Sequence, residues 1–399
     1  MGRNVPQLRF PEFTAEWEEK TLRGICDIKM CKRVMKHDTA PTGEIPFFKI
    51  GTLGGEPDAY ISRALFEELK AKYNYPLTGE VMMTCSGTTG NCIQFDGEEA
   101  YYQDSNIVWV SNDEKIYNND FLYHFFKQYK WNALEGGTIK RIYTNDIYNA
   151  NIPTPCKKEQ EKISQFLSKY DKLIRNQEEK ISALKERKQG LLKKIFTQQV
   201  RFKDQDGNDY PAWEEKTLGD ICTGFEYGMN ESAVEYNGQH KYIRITDIDE
   251  DTHKFIDGNV SPEKGICDKY RVTKNSILFA RTGASTGKTY LYNENDGELY
   301  YAGFLIMATV KNEYNSYFVY SQTLTERYKQ WVSVMSVRSG QPGINAQEYK
   351  TYKIYSPCKE EQDKIAEILL KFDKKIEIEQ EILSNMQEFK KGLLQKMFI

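Results

Sequence analysis

The chain repeats itself, and the repeat limits what it can become. Residues 17–26 read WEEKTLRGIC and residues 213–222 read WEEKTLGDIC, an offset of 196. Each block follows a similar lead-in, Leu8-Arg9-Phe10 and Val200-Arg201-Phe202. A second block, Pro155-Cys-Lys-Lys-Glu-Gln160, returns as Pro357-Cys-Lys-Glu-Glu-Gln362 at an offset of 202. A third, Gly190-Leu-Leu-Lys-Lys-Ile-Phe196, returns as Gly392-Leu-Leu-Gln-Lys-Met-Phe398 at the same offset. Blocks in this order predict module, helix, module, helix. Two cysteine pairs, 26/222 and 156/358, ride on the repeat, and the expectation for all four is a small buried apolar side chain.

The segments from Glu159 to Phe196 and from Glu361 to Phe398 contain no proline and carry apolar residues spaced by three and four. In the first these are Leu167, Tyr170, Ile174, Ile181, Leu184, Leu191 and Ile195. In the second they are Leu369, Phe372, Ile376, Leu383, Met386, Leu393 and Met397. That spacing predicts a heptad seam on a long helix. Both seams are interrupted at the same places, by Gln177 and Glu379 and by Lys188 and Lys390. Polar residues there fix register and partner choice at some cost in stability. A helix of about 38 residues is a rod of roughly 55 Å, and the other rod of the chain is the nearest partner. Antiparallel pairing is expected, with a pseudo-two-fold relation between the halves.

Residues 20–152 and 216–355 are of another kind, rich in Tyr, Phe, Gly and Asn, with short β-like runs at 45–50, 80–84, 107–110, 240–245, 277–280 and 305–310. Hydrophobic residues make up 39% of the chain, enough for packed cores, so wholesale disorder is excluded. The expected fold class is mixed α/β: two strand-rich modules joined by two long antiparallel helices. The expected boundaries are 1–152, 153–199, 200–355 and 356–399. The stretch 79–87 matches 275–283 in pattern, and 47–51 matches 242–246. A duplicated framework with divergent surfaces implies two related recognition tasks on different targets.

No stretch approaches the roughly 18 apolar residues of a membrane span, and residues 1–13 lack the apolar run of a secretory signal. The eight cysteines form no CxxC pair, and the four histidines show no paired spacing, so neither a metal site nor a disulfide framework is expected. A cytoplasmic protein is the expectation. Gly283–Thr289 resembles a phosphate loop but has Thr282 where the first glycine belongs, and the following Tyr290-Leu-Tyr292 reads as strand rather than helix. Asp58, Glu68 and Lys70 fit a loose nuclease pattern, but residues 64–72 read as helix, where positions two apart diverge by about 200°. No catalytic constellation emerges.

Charge is unevenly spread. Residues 157–203 hold 14 Lys/Arg against 6 Asp/Glu, whereas the modules hold 15 against 17 and 16 against 17. A uniformly basic DNA-binding face is therefore absent. Local basic and aromatic clusters occur instead, at Trp131–Tyr143 and at the matching Trp331–Asn345. Gly-rich loops with Arg, Lys, Gln, Thr and Asn bring donors close to phosphate or base edges.

The repeated Pro-x-x-x-Glu-Gln block, the long helix closing in Gly-Leu-Leu, and the opening Trp-Glu-Glu-Lys-Thr-Leu together resemble the specificity subunit of type I restriction–modification systems. The resemblance covers essentially the whole chain and includes the order of its parts. One departure is Tyr355, which stands at the place of Pro153; a β-like connector keeps its path without one proline. The resemblance implies two target-recognition domains, each reading half of a split, asymmetric site in double-stranded DNA. It implies that the seam residues form a spacer that also docks two methyltransferase subunits. S-adenosylmethionine, ATP and Mg would belong to those subunits and to the restriction subunits of the complete complex. This chain would hold no cofactor, catalyse nothing and meet no membrane. The family's base-contacting residues vary with the site read, so candidates come from local chemistry on equivalent loops. In the first module they are Lys49, Thr52, Ser86, Thr88, Thr89, Asn91, Lys140 and Arg141. In the second they are Arg244, Asp247, Arg281, Thr282, Ser285, Lys288, Arg338, Gln341 and Asn345. Arg and Lys favour guanine or phosphate, Asn and Gln adenine. The alternative is a coiled-coil protein-interaction scaffold without DNA specificity.

Overall fold

A computed structural model describes residues 5–131, 141–264, 267–338 and 340–398. The chain divides into two compact units, Met1–Glu179 with Glu381–Ile399, and Lys180–Gln380. In the first, strand Glu18–Thr21 pairs antiparallel with Asn151–Thr154. A four-stranded sheet follows in the order Asp27–Lys29, Ile107–Ser111, Val81–Thr84, Cys92–Gln94. Strand Ile45–Phe48 runs parallel to Tyr101–Tyr102. The second unit repeats the plan. Strand Glu214–Thr217 pairs antiparallel with Lys353–Ser356. The four-stranded sheet runs Cys222–Tyr227, Leu305–Val310, Ser276–Ala280, Thr289–Leu291. Strand Lys241–Ile243 runs parallel to Leu299–Tyr301.

The two long helices are Lys157–Phe196 and Lys359–Met397. Each begins two residues before the repeated Glu, so the Pro-Cys of the repeat is the lead-in to the helix. In the first unit Asp171 of one helix pairs with Lys390 of the other, and Glu178 faces Gln387. In the second unit Lys180 pairs with Glu379 and Lys188 with Asp373, both across the helix pair. Partner numbers fall as residue numbers rise, so the helices are antiparallel within each unit. The lysines that interrupt the heptads thus meet aspartates, and Asp171/Lys390 and Asp373/Lys188 are the same pair twice, 202 residues apart.

The seam does not run at uniform depth. Ile174, Ile181, Leu184 and Ile376 are buried along the middle. Leu167, Leu393 and Met397 belong to the core of the first module, with Val81, Val108, Phe121 and Ile152. Ile195 and Leu369 join Leu218, Ile277, Phe318 and Ile354 in the second. Leu191 is only partly buried, and its neighbour Leu192 takes the inward place. Tyr170, Phe372, Leu383 and Met386 are half-buried, and the Tyr170 ring meets Phe389 at 5.6 Å. The helix ends therefore serve two purposes at once, pairing with each other and closing the module cores.

The Glu-Gln of the repeat makes the joint. Glu159, 1% exposed, receives both Arg9 Nε and Nη2, at 2.7 and 2.8 Å. Glu361, 0% exposed, receives Arg201 and also Trp213 Nε1 at 3.1 Å. Gln160 accepts from the amide of Asn118 and donates to the carbonyls of Ile116 and Pro155. Gln362 accepts from the amide of Asn315 and donates to the carbonyl of Pro357 and to Ser356 Oγ. Asn118 and Asn315 in turn cap the helices Asn119–Gln128 and Ser316–Gln322. Leu8 N bonds Lys396 O at 2.8 Å, as Val200 N bonds Lys194 O at 3.2 Å.

One cysteine expectation needs correcting. Cys26 and Cys222 are buried, but Cys156 is exposed and Cys358 intermediate. The second pair stands just before a helix, where its carbonyls receive the first helical amides and its side chains point outward. At Tyr355 the strand register survives: Glu215 faces Tyr355 as Glu19 faces Pro153.

Candidate nucleic-acid interface

Each four-stranded sheet ends in a glycine hairpin. In the first module Thr84 is followed by a loop that closes when Gly90 N returns to Thr84 O; in the second, Gly287 N returns to Ala280 O. The second loop is one residue longer. Gly90 and Gly287 lie at φ +83° and +90°, and a Cβ there would stand 2.6 Å from Trp131 or 2.5 Å from Val332. Only glycine fits both the left-handed backbone and the close approach. The phosphate-loop likeness of Gly283–Thr289 resolves here: a strand follows it, so no helix N-terminus faces the loop. Glu68 and Lys70 lie in helix Arg63–Lys72, where Glu68 pairs with Lys72 and Lys70 sits over Phe66 and Tyr75.

The first module brings most of its candidates together. Thr52 Oγ1 accepts from Lys49 N, and Lys49 pairs with Asp58 at 2.8 Å. Thr88 Oγ1 reaches Ile50 O, and Asn91 Nδ2 reaches Leu53 O, so the turn at 49–53 is sewn to the hairpin. Ser86 forms a β-bridge with Arg141, whose guanidinium reaches Ser105 O at 3.1 Å. Ser86 itself is buried and bonds Asn106. Thr89 is half-buried in the same loop. Lys140 lies outside the described residues.

The second module spends several candidates internally. Arg244 grips Asp247 through Nε and Nη2, both at 2.8 Å, and Asp247 is buried. The hydrogen bonds to Asp247 raise the Arg244 pKa above its usual range, so the pair is a fixed ionic turn rather than a free donor. Lys288 is buried, with its ammonium on Ile248 O and Glu250. Ser285 points to the same Glu250. These residues line a cavity of about 840 Å³ with Lys185, Lys188 and His253. Arg338 is held by both oxygens of Glu348 at 2.6 Å, and Asn345 caps helix Ala346–Lys350. Thr282 bridges to Gly343, and Gln341 comes close to Gly283.

Arg281 stands apart. Its guanidinium lies 4.8 Å over the ring of Tyr227, and it forms no ion pair among the described residues. Its amide bonds the carbonyl of Phe304, a residue 59% exposed. Neither Tyr227 nor Phe304 carries a local sequence signal. Aligning Phe304 with Asn106 across the repeat would have shown that both sit beside equivalent hairpins.

Comparison with known proteins now adds to this geometry. A family model described as type I restriction modification DNA specificity domain matches residues 14–186 and again 211–388. A putative type I restriction enzyme specificity subunit of Haemophilus influenzae is 51% identical over 146 residues, 37% of this chain and 38% of that protein's length. The MjaVIII specificity subunit of Methanocaldococcus jannaschii is 24% identical over 308 residues, 73% of this chain and 72% of that protein. Among solved structures, the S subunit of a type I system from M. genitalium matches over 99% of both chains, with a TM-score of 0.59 and 18% identity. A structure of a type I R-M system matches over 96% of this chain and 97% of its own, with a TM-score of 0.55 and 15% identity. The duplicated hairpins, the duplicated joints and the two matched domains make one finding: the chain belongs to the type I restriction modification DNA specificity family.

Proposed function

We propose that the chain is the non-catalytic reader of a type I restriction–modification complex, with each module reading one half of a split, asymmetric site in double-stranded DNA. The observation that carries this is a backbone used twice with different side chains. The hairpins at 84–90 and 280–287 close by the same bond but carry Cys-Ser-Gly-Thr-Thr in one case and Arg-Thr-Gly-Ala-Ser-Thr in the other. Constant geometry with variable chemistry suits two readers of different base sequences. Family membership favours this over the scaffold alternative. The paired helices would set the gap between half-sites and dock two methyltransferase subunits. S-adenosylmethionine would reside on those subunits, and ATP and Mg with the restriction subunits, all in the cytoplasm. No helix among the described residues is long and apolar enough to cross a membrane.

The test is to co-express the chain with its partner methyltransferase and map methylated adenines across the host genome. The expected result is a single split motif that vanishes when this chain is deleted. Methylation without a common motif, from a complex that demonstrably contains the chain, would overturn the proposal.

A further inference from the structure

Cys85 N bonds Asn106 O at 2.7 Å, and Ile142 N bonds Cys85 O at 2.8 Å. In the second module Arg281 N bonds Phe304 O at 3.0 Å, and Ile344 N bonds Arg281 O at 2.9 Å. The two three-strand nodes are therefore one backbone arrangement. Each ties the end of a central strand to the turn before its neighbour and to the segment entering the module's last helix. The side chains on it are unrelated. In the first module the node carries Cys85, which is buried, and Asn106, which accepts from Ser86 Oγ at 2.8 Å. In the second it carries Arg281 over the ring of Tyr227, with Phe304 exposed beside it.

The backbone under Arg281 and Phe304 is tightly held. Gly228 passes so close to Ala302 and Tyr301 that a Cβ would stand 2.3–2.4 Å from their carbonyl oxygens. A Cβ on Gly303 would meet Met229 O at 3.0 Å, and one on Gly343 would meet Arg281 O at 3.1 Å. Tyr227, which carries the guanidinium, is itself anchored, since its hydroxyl accepts from Ala346 N at 3.2 Å. Phe304 stands exposed on this rigid turn, directly bonded through its carbonyl to Arg281, so the two side chains share one place on the surface. A guanidinium lying over an aromatic ring, with no carboxylate in ion-pairing range among the described residues, keeps donors for an outside acceptor.

We infer that Arg281 and Phe304 are the base-reading side chains of the second module, and that the half-site it reads contains a guanine taken by Arg281. This rests on the DNA-reader proposal above. A planar guanidinium matches the O6 and N7 acceptors of guanine in the major groove. Phe304 covers the neighbouring base by apolar contact, as with a thymine methyl group. At the same place the first module carries the half-buried Asn106, held by the buried Ser86, so the two half-sites would be read by different chemistry from one place in the fold.

The experiment uses the complete methyltransferase complex with Arg281→Gln, Arg281→Lys and Phe304→Leu, scored by genome-wide adenine methylation and by thermal unfolding. Arg281→Gln is expected to reduce discrimination at one guanine of one half-site by about ten- to a hundredfold, leaving the other half-site unchanged. Arg281→Lys should relax the same position more mildly. Phe304→Leu, whose side chain lies outside the core, should relax the adjacent position at unchanged melting temperature and carries the test if the arginine variants fold poorly. Wild-type motif and occupancy in all three variants would overturn the assignment and leave the reader proposal standing. A wild-type complex with no motif would instead sink the reader proposal itself.

Discussion

The two modules agree where they join the helices and disagree where they meet solvent. At the joints the bonds repeat nearly atom for atom: Arg9–Glu159 with Arg201–Glu361, Gln160 to Asn118 with Gln362 to Asn315, and a Trp17–Phe121 contact at 6.4 Å with Trp213–Phe318 at 6.0 Å. At the hairpins only the backbone repeats. At the joints duplication preserved the buried carboxylates together with their partners, because an unmatched buried charge is costly. It left free the places where side chains face water. The contrast separates what holds a module from what a module reads.

The comparison can be pressed hardest at the buried carboxylates. Arg9→Ala and Arg201→Ala should each cost about 3 kcal/mol by leaving Glu159 or Glu361 buried and uncompensated. Chemical denaturation would measure both, and a large effect at only one joint would break the equivalence. The modules should also meet acid through histidines at different places: His124 in the first, and His253, whose pKa burial likewise lowers, in the second. Burial lowers the His124 pKa to about 4 from 6.5, and the corresponding residue in the second module is Ser321, which does not titrate. The unfolded chain then binds more protons than the folded one between about pH 6.5 and 4, so stability falls as pH drops through that window. The His124 contribution amounts to at most about 3 kcal/mol, and His124→Ser should flatten its part of the acid limb of a stability–pH curve. If the curve keeps its slope, another group governs it.

Smaller effects sharpen the picture. Gly90→Ala and Gly287→Ala each place a Cβ against Trp131 or Val332 at a left-handed backbone; a loss of about 1–2 kcal/mol is expected in each. An unchanged melting temperature in either would show that its hairpin is not clamped. At the smallest scale, Tyr355 N donates to Gln322 Oε1 at 3.2 Å, a bond that Pro153 cannot make in the first module. Tyr355→Pro should therefore cost about 1 kcal/mol, and Pro153→Tyr should cost less.

The architecture was legible because it is written twice. The long helices, the strand runs and the antiparallel pairing all follow from repeated blocks and heptad spacing. Lys188 and Lys390 were visible as interruptions, but their partners Asp373 and Asp171 lie 185 and 219 residues away, beyond any local pattern. The Glu-Gln motif was visible as a signature without its purpose, since Gln160 acts on the backbone of residues 116 and 118. Candidate contacts fared unevenly for the same reason. Arg244, Arg338 and Lys288 look like free donors in sequence, yet Asp247, Glu348 and Glu250 occupy them. Phe304 carries no local sequence signal and stands exposed.

Among the described residues the Gln160 side chain bonds its module through main-chain atoms: the amide of Asn118 and the carbonyls of Ile116 and Pro155. Gln362 grips the amide of Asn315 in the same way. At Gln160 these bonds do not depend on the side chains they hold, whereas Gln362 also takes Ser356 Oγ. A hairpin can therefore change its side chains while this main-chain part of the joint stays as it is.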